Sequence, residues 1–510
     1  MRIRFKRYLF LTHRWLGIVA CVFFAMWFIS GVVMMYIGYP KLTERERLQH
    51  LPALDAQLNL LSPKQALDAA DITGPLTELR LANASGGKPV YLVIPKSTNH
   101  DASGHKRTPP GKGTVVIDAQ SGERLRSVDV PHALASAAAY AGNGIPVTYL
   151  DSVDEDAFTH SRGLDAHRPL HRIQLADEEG TQIYVSGATG EVVRDATSTE
   201  RVWNYAGAWI HWLYPFRGNF FDPYQADIVI WLSVLGTVAA VAGTIVGIMR
   251  WRFSKPYRSG SRSPYHVGVM RWHHITGLLF ALITITWIFS GLMSMNPWRI
   301  FNSGAPPLQT ELMQGGALTI SAQDAAPKTL LAAVNRPISE LRWTQTLAQT
   351  TVQAYGAAGT PTLLNSQTAQ PRVIDPDALL ASARELLPEP VASVEQLNQY
   401  DLYYYARDPH TMGGGSEKPL PILRVIFDDP HATWVHIDLH TGTVLGKIDS
   451  HRRTSRWLFA MLHSWDWLPL LERRPLWDML LILLSLGGAA LSITGVIIGW
   501  RRLGKKLRAV

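Results

Sequence analysis

Four apolar runs, at residues 16–39, 226–249, 275–295 and 477–500, are each long enough to cross a bilayer, whose hydrocarbon core of about 30 Å needs roughly 20 residues of helix. Two long polar stretches, 40–219 and 297–474, separate them. A water-soluble core does not accommodate that distribution. It predicts an integral membrane α-helical protein with four transmembrane helices and two extracytoplasmic α+β domains. The mean hydropathy of +0.01 is then an average of membrane helices and polar domains.

Charge supports the same reading. Arg2, Arg4, Lys6, Arg7 and Arg14 precede the first run. Arg250, Arg252, Lys255, Arg258, Arg262 and Arg271 lie between the second and third, and Arg501, Arg502, Lys505, Lys506 and Arg508 follow the fourth. None of these segments holds an acidic residue, and without their 16 charges the net +8 becomes about −8. Positive charge gathered at helix ends marks the cytoplasmic side, so both termini are expected inside and the two polar stretches outside. The same distribution argues against a nucleic-acid partner, because the basic character follows helix ends rather than a binding face. The first run has no small-x-small cleavage site after it and exceeds a signal h-region, so it reads as an uncleaved anchor. The one cysteine, Cys21, excludes disulfides within the chain and cysteine-ligated clusters.

The chain is also one unit written twice. Shifting the block 169–252 by 252 positions places Pro169, Arg172, Asp177, Thr189, Gly190, Arg201, His211, Gly236, Gly243, Gly247 and Arg250 on identical residues, without a gap. At an offset of 260, His13, Gly17, Trp27, Ser30 and Gly31 fall on His273, Gly277, Trp287, Ser290 and Gly291. The expected division is 1–39, terminus and first helix; 40–202, first outside domain; 203–252, aromatic segment and second helix. It continues with 253–274, basic loop and start of the third helix; 275–296, third helix; 297–456, second outside domain; and 457–510, aromatic segment, fourth helix and basic tail. Two units that each start and end inside have parallel topology, related by a pseudo-two-fold axis along the membrane normal.

Within the outside domains, 62–70 and 375–387 have helical character, the first behind a Ser-Pro start. Residues 91–94, 114–118, 182–186, 422–427 and 433–438 read as strands by their β-branched alternation. Gly122, Gly190 and Gly442 mark turns that need positive φ. The Gly-rich polar stretches 97–113 and 410–418 read as mobile loops.

Four histidines occupy matched places: His13 with His273 at the basic ends of the outgoing helices, and His211 with His463 in aromatic segments before the returning helices. Small residues one turn above the first pair, Gly17 and Gly277, leave room for something flat against the helix. Two axial imidazoles from different helices make a bis-histidine haem site, and two such sites at two depths make an electron wire. Ionisable groups near an apolar core are costly and usually functional. His274, next to His273, is a rival ligand. Gly236, Gly243, Gly247, Gly488, Gly495 and Gly499 read more simply as small-xxx-small packing residues. Zinc would need four ligands, and no acidic residue lies near His13 or His273 in sequence. His160, His167, His171, His431, His436 and His440 match no compact metal motif and read mostly as solvated strand or loop residues.

Thr12-His13-Arg14-Trp15-Leu16-Gly17, Trp272-His273-His274-Ile275-Thr276-Gly277, the turns at 186–190 and 439–442, the strand-turn around 435–445 and the Tyr403-Tyr404-Tyr405 run resemble the PepSY-associated transmembrane family. The resemblance implies PepSY-like outside domains and two b-type haems ligated by His13, His273, His211 and His463. It further implies a periplasmic ferric-siderophore reductase in a bacterial inner membrane, with a ferric siderophore or other iron chelate as acceptor and a cytoplasmic carrier or quinol as donor. His274 departs from the family, which more often has Arg there. Candidate propionate contacts are Arg14, Arg250, Arg271 and Arg502 inside, with Arg201 and Arg453 outside. No G-x-G-x-x-G follows a strand and opens a helix, so no flavin or nicotinamide site is expected.

Two other classes compete. A membrane-anchored sensor, in which the outside domains bind a ligand or protease without any cofactor, leaves the matched histidines without a reason. A transporter finds little support in four helices that lack mid-membrane proline and buried carboxylates; Asp222, Asp227 and Asp478 sit at helix starts, where they suit the macrodipole.

Overall fold

The computed structural model describes residues 2–96, 113–142, 144–357, 360–406 and 418–508. The stretches 97–113 and 410–418, expected as mobile loops, lie almost wholly outside these residues.

Five helices form the apolar part: α1 (Arg2–Met34), α2 (Gln225–Arg250), α3 (Val269–Leu279), α4 (Ala281–Ser294) and α5 (Leu476–Leu507). Three of them, over Phe5–Met34, Asp222–Arg250 and Leu476–Leu507, are long and apolar enough to cross a membrane. The third apolar run, expected as one straight helix, is instead α3 and α4 meeting at a bend of 69°; counted as one broken span, the pair makes a fourth. The bend centres on Phe280, with φ −105° and ψ 15°. No proline stands there. The ring of Phe280 lies over Gly487 of α5, in the space that a side chain would otherwise take. The corresponding position of α1 is Ala20, and there the helix is unbroken. The break thus accompanies a ring where the other unit has a methyl group.

Glycines of α2 and α5 take side chains from their neighbours. Phe24 covers Gly236 and Phe28 covers Gly488, while Leu278 and Ile18 lie at Gly247 and Gly499. The packing role expected of these glycines has a concrete form: a missing Cβ is what lets each ring approach. Phe24, Phe28, Ile288 and Ala489 make the buried centre of the bundle, with Trp27 and Trp287 against it.

Among the described residues, fourteen strands build three antiparallel sheets. The first joins β1 (Leu76–Ser85), β2 (Lys88–Pro95) and β3 (Val115–Asp118). The second is β4 (Val147–Val153), β5 (Leu170–Leu175), β6 (Gln182–Ser186) and β7 (Val192–Ala196). From the second half come β8 (Glu340–Thr346), β9 (Gln349–Tyr355) and β10 (Thr362–Asn365), then β11 (Val391–Leu397), β12 (Ile422–Phe427), β13 (Trp434–Asp438) and β14 (Val444–Ile448). β4 to β7 and β11 to β14 are two four-stranded meanders. From β5 onward the elements recur at the same offset of 252 as the sequence: three strands, a helix (Ser198–Asn204, then Ser450–Arg456) and a π-helical turn (Tyr205–Trp209, then Trp457–Met461). The anticipated helix over 62–70 is Pro63–Ala69 behind a Ser62 capping box. The turn glycines Gly122, Gly190 and Gly442 have φ of 80°, 74° and 70°.

The two polar stretches do not stand apart. β1 pairs with β8, Leu79 opposite Trp343 and Leu81 opposite Leu341, to give one six-stranded sheet in the order β10-β9-β8-β1-β2-β3. Leu79, Leu81, Tyr91 and Ile117 share one core with Leu341, Trp343, Val352 and Leu364. At the seam, the fully buried carboxylate of Glu340 meets Arg47 at 2.9 Å, Arg342 at 2.6 Å and Arg80 at 3.3 Å. Leaving any of these charges alone in the interior would cost several kcal/mol, roughly 3–5. The seam therefore ties the two halves together.

Candidate functional site

At the basal end of the bundle, away from the sheets, His13 of α1 faces His273 of α3. Their ring centres stand 6.3 Å apart with planes 25° from parallel. Each ring is seated by a glycine of its own unit. A Cβ at Gly243 would come within 2.6 Å of the His13 ring, and one at Gly495 within 3.3 Å of that of His273. His13 Nδ1 donates to the Ala239 carbonyl at 3.3 Å, and His273 Nδ1 to that of Leu491 at 3.2 Å. A carbonyl only accepts, so both rings carry their proton on Nδ1. A cavity of about 290 Å³ opens beside them, bordered by Gly17 and Gly277.

The second pair lies beneath the sheets. Each four-stranded meander runs into a short helix, the first opened by a Thr197–Glu200 capping box. A wide π turn then follows, a geometry that clusters at functional sites, and sets His211 in one unit and His463 in the other. These ring centres stand 6.2 Å apart with planes crossed at 78°. Ser30 Oγ donates to the Met26 carbonyl at 2.7 Å, so its lone pair accepts from His211 Nδ1 at 2.9 Å. Ser290 Oγ donates to the Trp287 carbonyl at 3.0 Å and accepts from His463 Nδ1 at 3.0 Å. Gly31 and Gly291 lie equally against these rings: a Cβ on either would stand 3.7 Å from the imidazole Cε1. A cavity of about 330 Å³, bordered by both glycines, adjoins the pair.

These spacings bear on what either pair can hold. A metal between opposed imidazoles, at metal–nitrogen distances of about 2.0–2.1 Å with roughly another ångström to each ring centre, separates the centres by about 6.2–6.4 Å. Both pairs match. With the proton on Nδ1 engaged in a hydrogen bond, Nε2 is the nitrogen that ligation would use, and such a partner sets the tautomer and ring orientation where histidines are ligands. No cluster of three or more His, Cys, Asp or Glu side chains able to hold a metal ion occurs among the described residues. Two axial imidazoles alone suit a metal that brings its own equatorial ligand, and the glycine-bordered cavities suit a flat one.

The family model described as PepSY-associated TM region matches residues 10–502. The chain belongs to that family. Comparison with curated proteins gives no match. The match of the PepSY-associated TM family takes in all four histidines, both serines and every strand.

The other predicted residues separate clearly within this family member. His274 does not share the pairing: its Nδ1 meets Ser263 Oγ at 2.8 Å and its Nε2 the Gly247 carbonyl at 2.9 Å, which occupies both ring nitrogens. Arg14, Arg250 and Arg502 border the basal cavity; Arg271 is not among the residues lining it. Arg201 Nη1 holds the carbonyls of Gly180 and Ala196, and Arg453 Nη1 those of Ala432 and Ile448. These two matched arginines clamp the ends of the sheets and do not line the sheet-side cavity. Of the sheet histidines expected to be solvated, His160, His171 and His436 are buried. His160 Nδ1 meets Glu155, His171 Nε2 the Val128 carbonyl at 3.2 Å, and His436 Nε2 accepts from Arg424 Nε at 2.9 Å. Neighbouring protein groups supply the hydrogen bonds that water would have supplied.

Sequence reasoning matched Ser30 with Ser290 but gave them no role. It passed over Arg217, which lines the sheet-side cavity. Arg217 has Pro469 at the equivalent position, so matching of repeats gives no signal for it.

Proposed function

We propose that this PepSY-associated TM protein is a di-haem electron-transfer protein of a bacterial inner membrane, an oxidoreductase that delivers single electrons to a ferric chelate on the side of the sheets. The observation that carries the reading is an imidazole pair at each of two depths, with ring centres 6.2 and 6.3 Å apart. Bound between each pair, a b-type haem would supply the one-electron iron couple.

The residues of the chain have separable tasks. His13 with His273, and His211 with His463, would ligate through Nε2. Ala239, Leu491, Ser30 and Ser290 hold the Nδ1 protons, which keeps each imidazole neutral and oriented. Phe24, Phe28, Ile288 and Ala489 fill the bundle between the pairs and exclude water from it. Arg14, Arg250 and Arg502 bring positive charge to the basal cavity, where it would attract the acidic edge of a porphyrin. On the proposed topology the basal pair receives electrons from a cytoplasmic carrier or quinol. The acceptor is a ferric siderophore or similar chelate, whose hard oxygen donors suit Fe(III) and release the reduced ion more readily.

The test is the absorption spectrum of detergent-purified protein, oxidised and then dithionite-reduced, with a pyridine haemochrome count. Two b-type haems per chain are expected, with the reduced protein reoxidised by a ferric siderophore. A chain that stays colourless when supplied with haem overturns the reading and leaves the anchored sensor as the better account.

A further inference from the structure

The sheet-side cavity contains one feature that the ligand pairs do not explain. Among its described lining residues, Arg217 is the only side chain with a full formal charge. It follows the short 3₁₀ turn Tyr214–Phe216 and precedes α2, with its guanidinium over the Tyr214 ring at 5.5 Å. Its nearest carboxylate is Asp222, 3.9 Å from Nε and beyond hydrogen-bond reach. Arg217 Nε and Nη1 are buried and have no hydrogen-bond partner among the described residues. Buried donors without acceptors are costly, the more so on a charged group. Arg201 and Arg453, matched arginines on this side of the molecule, differ from Arg217, since each satisfies Nη1 with two backbone carbonyls.

Position sharpens the point. The basal cavity is lined by Arg250 and Arg502, which are mates under the repeat. The sheet-side cavity has Arg217 on one unit and Pro469 on the other, so its positive charge is one-sided. A guanidinium fork matches a carboxylate geometrically and takes it in a charge-assisted bond.

We infer that Arg217 is the anion-binding residue of the sheet-side site and takes a carboxylate of the ligand seated there, a propionate of the haem. This rests on the di-haem reading. Arg217 acts as a positioning residue: it fixes the acidic edge of the ligand on one side and raises the reduction potential of that site, because a cation nearby disfavours the ferric state.

The experiment uses full-length, haem-loaded protein in a His13→Ala background, which keeps the sheet-side haem alone. Arg217→Gln is expected to speed transfer of that haem to apomyoglobin about tenfold, the equivalent of one charge-assisted hydrogen bond, and to lower its midpoint potential. Arg217→Lys, which keeps the charge, should restore most of the potential. Loading with the iron complex of protoporphyrin dimethyl ester should reproduce the fast release in the Arg217 protein and add nothing to Arg217→Gln. Release and potential unchanged in Arg217→Gln would overturn the inference, as would an ester effect of equal size in both proteins. A wild-type chain that binds no haem fails earlier and counts against the di-haem reading itself, so the two failures are distinguishable.

Discussion

At the basal pair the imidazole planes lie 25° apart and each Nδ1 reaches a carbonyl of a neighbouring helix, joined at His273 by the Thr494 hydroxyl at 3.1 Å. At the sheet-side pair the planes cross at 78° and a serine hydroxyl is the nearer partner of each ring, with the Trp287 carbonyl a second one for His463 at 3.3 Å. The spacing of ring centres is nearly the same in both. Every orienting bond lies within one unit: His13 with Ala239, His211 with Ser30, His273 with Leu491 and His463 with Ser290. At the histidines, it is the pairing of rings that crosses between units. A duplicated chain can therefore build two symmetric sites by repeating half of each, and it tunes them separately through what holds the rings. A helix carbonyl cannot be deleted by changing a side chain, whereas a serine can.

The largest expected effect tests whether the pairs are independent. His13→Ala and His211→Ala should each reduce a count of two haems to one, removing different reduced α-bands. Loss of both haems in either variant would mean that the pairs are one site. Gly243→Ala should approach His13→Ala in effect, because its Cβ would stand 2.6 Å from the ring that Gly243 now seats. The sheet-side band should remain, and an unaltered basal band would refute the seating role.

Ser30→Ala should weaken haem retention on the sheet side about 10–100-fold, the usual cost of losing a partner that orients a ligand, and Ser290→Ala toward the lower end of that range, since the Trp287 carbonyl stands 3.3 Å from His463 Nδ1. Thr494→Val should cost less at the basal pair, since the Leu491 carbonyl still holds His273. Equal effects from all three would erase the distinction between carbonyl and hydroxyl support. Finer still, electron paramagnetic resonance of the oxidised protein should show two low-spin ferric signals, one typical of near-parallel and one of near-perpendicular axial imidazoles. Two indistinguishable signals would contradict plane angles of 25° and 78°.

The smallest effect near neutral pH belongs to the sheet seam, which should leave both pairs alone. Burial alone would raise the Glu340 carboxyl, but Arg47, Arg342 and Arg80 hold it at about 2 instead of 4.5. A depressed carboxyl contributes stability that is complete above its ordinary value and lost as pH falls through the folded one. Thermal unfolding of the sheets should therefore be insensitive to this group above pH 4.5 and weaken between 4.5 and about 2. A Glu340→Gln protein with an unchanged acid profile would remove the seam from the account.

Much of this was legible in the sequence, for reasons that differ by residue. The run 226–249 matches α2 because a continuous apolar stretch has no alternative to helix in lipid. Strands 182–186 and 422–427 match β6 and β12 because β-branched alternation marked them. The four histidines emerged because duplication preserves a two-sided site as matched residues. The bend at Phe280 did not emerge, since it depends on which helix brings a glycine opposite the ring. Nor did the pairing of β1 with β8, a contact between distant strands that no local pattern announces. Arg217 has no mate, because Pro469 stands at the equivalent position, so duplication leaves no mark on it.

α1 carries both His13 and Ser30, 17 residues apart on one unbroken helix, which separates the two depths by about 25 Å at roughly 1.5 Å per residue. That is most of a hydrocarbon layer of about 30 Å. On the proposed function, an electron passing between the pairs would cross most of the membrane voltage, whose full drop is worth about 2.3 kcal/mol per 100 mV for one charge. With a negative interior the field pushes the electron toward the sheets. The respiring cell would then drive this reduction with its own potential, and dissipating that potential in sealed vesicles should slow it.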